Sequence, residues 1–259
     1  MIRVTRRISL AGLIAACGGL VSVNRTPQAF AAGSSLDYSM LVGGVEIAEI
    51  SLDFQSREAE TRVHLSMGNR GIATWIAGRN RTVMRTLLLH AADGGVMPLR
   101  FEAVYEKPDR TRETELLYGP NGEISDVQIR HRGHEVESKV PDELRNGAVD
   151  PLTALVRMQA WLEAGPPAGD EMVIAVFEGR KRANLHARYE GASDAGEERR
   201  LAVSLEGLFG FDRGDALVSM PGEPLRWLDV RVAAGQGRPV ILSVSDPLAP
   251  VATVIELRH

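Results

Sequence analysis

The sequence predicts a mainly β fold: a curved antiparallel sheet, open-barrel-like, around one central α-helix at about residues 151–162. Three observations carry that prediction. Apolar and polar residues alternate in short runs from Leu36 onward. Turn residues separate the runs roughly every 8–15 residues. Only the stretch after Asp150 has clear helical spacing. Alternation of this kind suits a barrel and a sandwich equally, and both stay open on the sequence.

The elements follow in order. Tyr38, Met40 and Val42 precede Gly43-Gly44, and Val45, Ile47 and Ile50 follow it, which reads as a strand, a bulge or bend, and a second stretch. Thr61 to Met67 alternates strictly. Thr82 to His90 suits a strand, although Leu87-Leu88-Leu89 also suits a helix. Asp93-Gly94-Gly95 is a turn signal, and Leu99 to Tyr105 alternates again. Thr111–Tyr118 and Glu123–Arg130 pair across Gly119-Pro120-Asn121-Gly122, where Asn-Gly supplies the positive φ of a hairpin. Asp150 caps the helix through the free amides of its first turn, and Pro151 stands where a missing N–H costs nothing. Leu152, Leu155, Val156, Gln159 and Leu162 keep one face, and Gly165-Pro166-Pro167 ends the run. Strands resume at Met172–Phe177, Ala183–Tyr189, Arg200–Leu208, Trp227–Val232, Val240–Val244 and Val251–Leu257, with a polar loop at Ser193–Glu198. That makes about ten to twelve strands.

The first thirty residues read as an address. Arg3, Arg6 and Arg7 precede an apolar run from Ile8 to Val23, and Ala29-Phe30-Ala31 is a small-x-small cleavage site. The run is shorter than the ~20 residues of a spanning helix. The expectation is therefore a signal peptide over 1–31, one β-rich periplasmic domain over 32–259, and no transmembrane span in the mature chain. Ile14-Ala15-Ala16-Cys17 resembles a lipobox, which makes a lipoprotein anchored through Cys17 the alternative. Thr5-Arg6-Arg7-Ile8-Ser9-Leu10 also resembles a twin-arginine signal, so general secretion and twin-arginine export both remain. Cleavage after Ala31 removes four arginines and no acid, taking the net charge from −4 to −8.

Composition excludes several classes. Of the 259 residues, 44% are hydrophobic and 25% charged, as in ordinary globular chains. An acidic balance and only 5% aromatics disfavour nucleic acid, and the acidic surface of the mature chain disfavours anionic lipid as an electrostatic partner too. One cysteine excludes an internal disulfide. There is no Gly-x-Ser-x-Gly elbow, Walker loop or dinucleotide fingerprint.

Each candidate for chemistry has a plainer reading. His131 and His134, three apart in a strand, point to opposite faces and read as a polar hairpin end. Gly68-Asn69-Arg70-Gly71 reads as a turn. Asp150 is accounted for by capping, and Asp212, Asp215 and Asp246 by turns. Lys107-Pro108-Asp109-Arg110 and Glu178-Gly179-Arg180-Lys181-Arg182 read as solvated turns. Trp75, Trp161, Trp227 and the methionines read as core, with a barrel mouth holding a lipid-like ligand as the functional alternative. No catalytic, cofactor-binding or metal-binding residue is assigned.

The order of landmarks resembles the bacterial exported family called domain of unknown function 3108. They run from Tyr38-x-Met40 with Gly43-Gly44-Val45, through Gly94-Gly95-x-x-Pro98-x-x-Phe101, to Tyr118-Gly119-Pro120-Asn121-Gly122. Asp150-Pro151-Leu152-Thr153-Ala154-Leu155, Phe177-Glu178-Gly179-Arg180-Lys181 and Ala187-Arg188-Tyr189-Glu190-Gly191 follow, with Arg238-Pro239-Val240 and a terminal strand closing the series. The resemblance implies an exported β-rich protein of unassigned activity, similar in outline to carriers that hold acyl chains in an open barrel. Later cysteines found in some members are absent here. The expectation is a non-enzymatic periplasmic protein that binds an apolar, lipid-like ligand in a curved sheet. The alternatives are an envelope-integrity or assembly factor acting through a protein partner and a hydrolase using two carboxylates.

Overall fold

The structure, a computed structural model, describes residues 34–57, 59–91, 95–193, 196–212, 215, 217–233 and 239–258. The expected signal peptide, Cys17, Asp93-Gly94 and Arg238 lie outside the described residues. In chain order the elements are β1 (Ser34–Val42), β2 (Val45–Ser56), β3 (Glu60–Asn69), α1 (Gly71–Ala77), β4 (Arg81–His90), β5 (Val96–Lys107), β6 (Arg110–Tyr118), β7 (Ile124–His131), β8 (His134–Glu135), α2 (Asp142–Arg145), α3 (Pro151–Glu163), β9 (Glu171–Phe177), β10 (Arg182–Ala192), β11 (Glu198–Phe209), β12 (Val218–Ser219), β13 (Leu228–Ala233), β14 (Ile241–Ser245) and β15 (Thr253–Leu257).

The strands form one sheet in the order β8-β7-β6-β5-β4-β3-β2-β1-β15-β14-β13-β11-β10-β9, with β12 added parallel to β11. All other strand pairings are antiparallel and the sheet is not closed. Alternation decides its faces. Tyr38, Ile50, Leu52, Val63, Leu65, Met84, Phe101 and Leu116 turn inward, while Asp53, His64, Arg85, Glu102, Glu115 and Gln128 line up outward across six successive strands. A one-residue slip would invert both rows, so burial fixes the register.

Several expectations are corrected. Gly43 (φ 58°) and Gly44 (φ 79°) make a two-residue hairpin turn between β1 and β2, where the sequence suggested a bulge or bend. The Leu87-Leu88-Leu89 run is strand, because Leu88 alone of the three is fully buried, as alternation requires. There are three helices among the described residues, not one. Gly68-Asn69-Arg70-Gly71 leads from β3 into α1. The Asn69 side chain fastens that short helix at its far end, donating to Gly78 O at 2.7 Å and accepting from Asn80 N at 2.8 Å. Trp75 on α1 is 86% exposed, contrary to the core reading. Trp161 packs against the core, and Trp227 lies under the Arg188 guanidinium.

α3 is the central helix. Asp150 caps it as expected, accepting from Leu152 N at 3.0 Å and Thr153 N at 2.9 Å. Nine of its thirteen residues are buried, so it lies inside the curl of the sheet. The sheet bends far enough for β5 and β6, near one end of the strand order, to meet the chain just after β9 at the other end. Residues 136–150 fill the seam between them. There Val149 extends the β9 edge, donating to Ala175 O at 2.9 Å and accepting from Phe177 N at 2.9 Å. That cover satisfies part of an edge that would otherwise present free amides and carbonyls.

Candidate functional site

The inner face and α3 leave an apolar cavity of about 50 Å³. Tyr38, Leu52 and Leu65 line it from β1–β3, and Pro151, Ala154, Leu155 and Met158 from α3. Val176, Leu185, Val203 and Leu205 of β9–β11 join Val230, Ile241 and Val244 of β13 and β14 on the remaining side. The lining holds no charged side chain. The strand residues that line it are buried apart from the partly buried Ile241, and α3 contributes its own buried face.

Two buried carboxylates tie the seam beside this cavity. The first is Asp150, which is fully buried. Besides the two cap amides it accepts the hydroxyls of Thr153, Thr86 (3.3 Å) and Tyr118 (3.3 Å). The Tyr118 hydroxyl in turn accepts from Asp150 N at 2.8 Å. The cap therefore also binds α3 to β4 and β6. Burial pushes the Asp150 carboxyl above its ordinary value, with the Thr153, Thr86 and Leu152 hydrogen bonds opposing. The Tyr118 hydroxyl is held far above its usual range, first by burial and then by the Asp150 charge.

The second is Glu178, also fully buried. Its Oε2 accepts from Tyr105 Oη at 2.9 Å and Arg112 Nη2 at 3.2 Å. The Arg112 guanidinium lies over the Tyr105 ring, 4.0 Å from its centroid. Burial alone would lower the Arg112 pKa, but the Glu178 charge and Tyr105 reverse that and raise it. Tyr105 is raised well above its normal value by burial first and Glu178 second. The turn needs a glycine at 179, where φ is 96° and a Cβ would come within 2.5 Å of Thr114 Cγ2.

The sequence reading of this segment as a solvated turn is overturned. Arg180 alone is exposed; Glu178 and Arg182 are buried, and Lys181 donates to the buried Asp215 at 2.8 Å. Arg182 Nε donates to Leu144 O at 2.7 Å, holding α2 against β10. Asp246, expected as a turn residue, does accept from Leu248 N at 3.0 Å but is also buried against Arg226. Lys107-Pro108-Asp109-Arg110 is the expected tight turn between β5 and β6. His131 and His134 are cross-strand partners around the Arg132-Gly133 turn, so the opposite-face argument fails for them. No group of three or more His, Cys, Asp or Glu able to hold a metal occurs among the described residues. No helix among them is long and apolar enough to cross a membrane.

What sequence reasoning missed is the polar lining of the seam. Its signals were inward-phase Thr86, Tyr105, Thr114 and Tyr118, which sit on the buried face of alternating strands. A tyrosine there needs a partner for its hydroxyl, and the two carboxylates supply it.

No curated protein and no solved structure matches the chain. A family match covers residues 37–195, from β1 to the loop after β10, under the description Protein of unknown function (DUF3108). Both seam carboxylates and α3 lie within it; Arg238-Pro239-Val240 and the terminal strand, counted among the landmarks, lie beyond it. With more than half of its length inside that match, the chain belongs to the DUF3108 family.

Proposed function

We propose that this chain is a non-enzymatic binding protein for an apolar, lipid-like ligand, held between α3 and the concave face of the sheet, and that it acts in the periplasm after export. The observation that carries this reading is the cavity beside α3, which is lined entirely by inward-facing residues of the sheet and helix. Empty interior space of this kind is dry and takes apolar guests. An engineered cavity of about 150 Å³ holds one benzene, so the roughly 50 Å³ here receives only part of an acyl chain while α3 stays in place.

A longer ligand is accommodated by movement of the C-terminal half of α3. That half is fastened by Gln159 Nε2 to Pro239 O (2.9 Å) and by Arg199 Nη1 to Leu162 O (2.6 Å), whereas the N-terminal half is tied by the whole Asp150 cluster. Trp161, half-buried on the C-terminal half, is the natural reporter. Asp150 and Glu178 do not make the carboxylate pair of the hydrolase reading: they belong to separate hydrogen-bonded clusters, and neither lines the cavity.

Native mass spectrometry of the protein, purified gently from its source and followed by extraction, tests the proposal. The expected result is a stoichiometric apolar molecule whose removal changes Trp161 fluorescence. An empty protein whose Trp161 signal ignores added long-chain fatty acid refutes it.

A further inference from the structure

One end of the sheet carries an exposed apolar rim. The register places the β1–β2 turn, α1, the β5–β6 turn and the β14–β15 turn at the same end. There Ile72, Trp75 and Ile76 of α1 stand exposed beside Val45, Leu248 and Val251. Backbone hydrogen bonds join the elements that carry them. Arg70 N donates to Ile47 O at 2.8 Å, which seats α1 on the start of β2. Gly43 N donates to Ala252 O at 2.8 Å, which brings the β14–β15 turn onto the same corner. Leu248 is 71% exposed and Trp75 86%, so the core does not claim either side chain.

The charges around the rim are unevenly paired. Glu49 is held by Arg70 and Glu46 by Arg258. Asp109 lies between Arg110 and Arg132. Arg79 and Arg81, both exposed and both just past Trp75, have no ion pair among the described residues; Arg81 stands opposite Glu106 in the β4–β5 register without bonding it. The result is a protruding indole with aliphatic neighbours and two free guanidiniums.

We propose that this end of the sheet docks on an anionic membrane surface, with Trp75, Ile72, Ile76 and Leu248 entering the headgroup region and Arg79 and Arg81 meeting lipid phosphates. An indole, apolar on its ring and a donor at its N–H, suits that region, and guanidinium suits phosphate. The apolar side chains sit on the short helix α1 and on the neighbouring β1–β2 and β14–β15 reversals, a shape that enters a soft surface. A second copy paired about a two-fold axis would bring the same free arginines together. The proposal stands whether or not the cavity holds a ligand.

The test uses the full chain and vesicles of phosphatidylethanolamine with phosphatidylglycerol, some carrying brominated acyl chains. Because the full chain also carries the N-terminal apolar run from Ile8 to Val23, the readout is local: the emission lost in Trp75→Ala, obtained by difference. That component is expected to shift blue and to be quenched by brominated lipid. Arg79→Ala with Arg81→Ala is expected to weaken the Trp75 response about 30-fold at low salt, at about fivefold per cation. An unchanged Trp75 component on vesicles overturns the proposal even if the chain binds. Equal quenching on phosphatidylcholine vesicles overturns the anionic assignment, and burial of Trp75 only by an added acidic protein replaces the membrane with a protein partner. Because Trp75 is exposed, all variants are expected to keep the parent melting temperature.

Discussion

Asp150 and Glu178 are both fully buried, both accept a tyrosine hydroxyl from the far side of the seam, and both join the helix-bearing half of the chain to the sheet. They differ in how the charge is met. Glu178 has a guanidinium, Arg112, itself only 14% exposed. Asp150 has no ion pair among the described residues and relies on a helix N-terminus and three hydroxyls. One site exchanges hydration for an ion pair, the other for directed neutral donors. The ion pair should therefore be fragile to loss of one partner, and the cap should be sensitive to pH.

The largest effect is expected from Arg112→Ala. It strands a buried carboxylate and should cost about 3–5 kcal/mol in chemical denaturation. Replacing both partners, Arg112→Met with Glu178→Leu, should recover part of that loss, because it removes both buried charges and leaves only the Tyr105 hydroxyl without its acceptor. A double variant no better than the single one would mean that the site needs its polarity for folding.

Asp150→Ala should come next, at about 2–4 kcal/mol. It removes a cap worth about 1 kcal/mol and leaves the buried hydroxyls short of an acceptor. Asp150→Asn keeps an acceptor and should cost less. It also sharpens the comparison through pH. The folded pKa of Asp150 lies above its unfolded value of about 3.9. The folded state thus holds that proton more tightly, and the carboxyl's contribution is most favourable below the unfolded pKa. It is lost as pH rises towards the raised folded value. Subtracting the Asp150→Asn stability profile from the parent's should reveal a fall with rising pH across that window; a rise would mean that hydrogen bonding outweighs burial.

Smaller differences separate the tyrosines. Tyr118→Phe removes a hydroxyl that both donates to Asp150 and accepts from its amide, and should cost about 2 kcal/mol. Tyr105→Phe leaves Glu178 its Arg112 partner and should cost about 1 kcal/mol. Trp75→Ala, outside both clusters, should lie within about 0.5 kcal/mol of the parent.

Much of this arrangement was legible in the sequence. Strict alternation at Thr61–Met67 and Leu99–Tyr105 gave strands with the right inward faces, and Asp150-Pro151 gave the start of α3. The same alternation left closure open, because curvature and strand order depend on contacts far apart in the chain. The sequence alone makes Glu178 solvated, because a charged run beside glycine normally is; only the fold brings Arg112, 66 residues earlier, against it. Local sequence shows Asp150 only as a cap, since Thr86 and Tyr118 reach it from 64 and 32 residues away. Residue type alone puts Trp75 in the core, whereas a helix too short to bury a face leaves it outside.

The most direct test of the proposed binding role is a titration of the parent protein and Ala154→Val with a fluorescent long-chain fatty acid. Ala154 is buried and lines the cavity, and the substitution adds two methyl groups to that space. The account predicts saturable binding by the parent and at least tenfold weaker binding by a stably folded Ala154→Val. Equal affinity in the two, or no saturable binding by the parent, would contradict a ligand site beside α3.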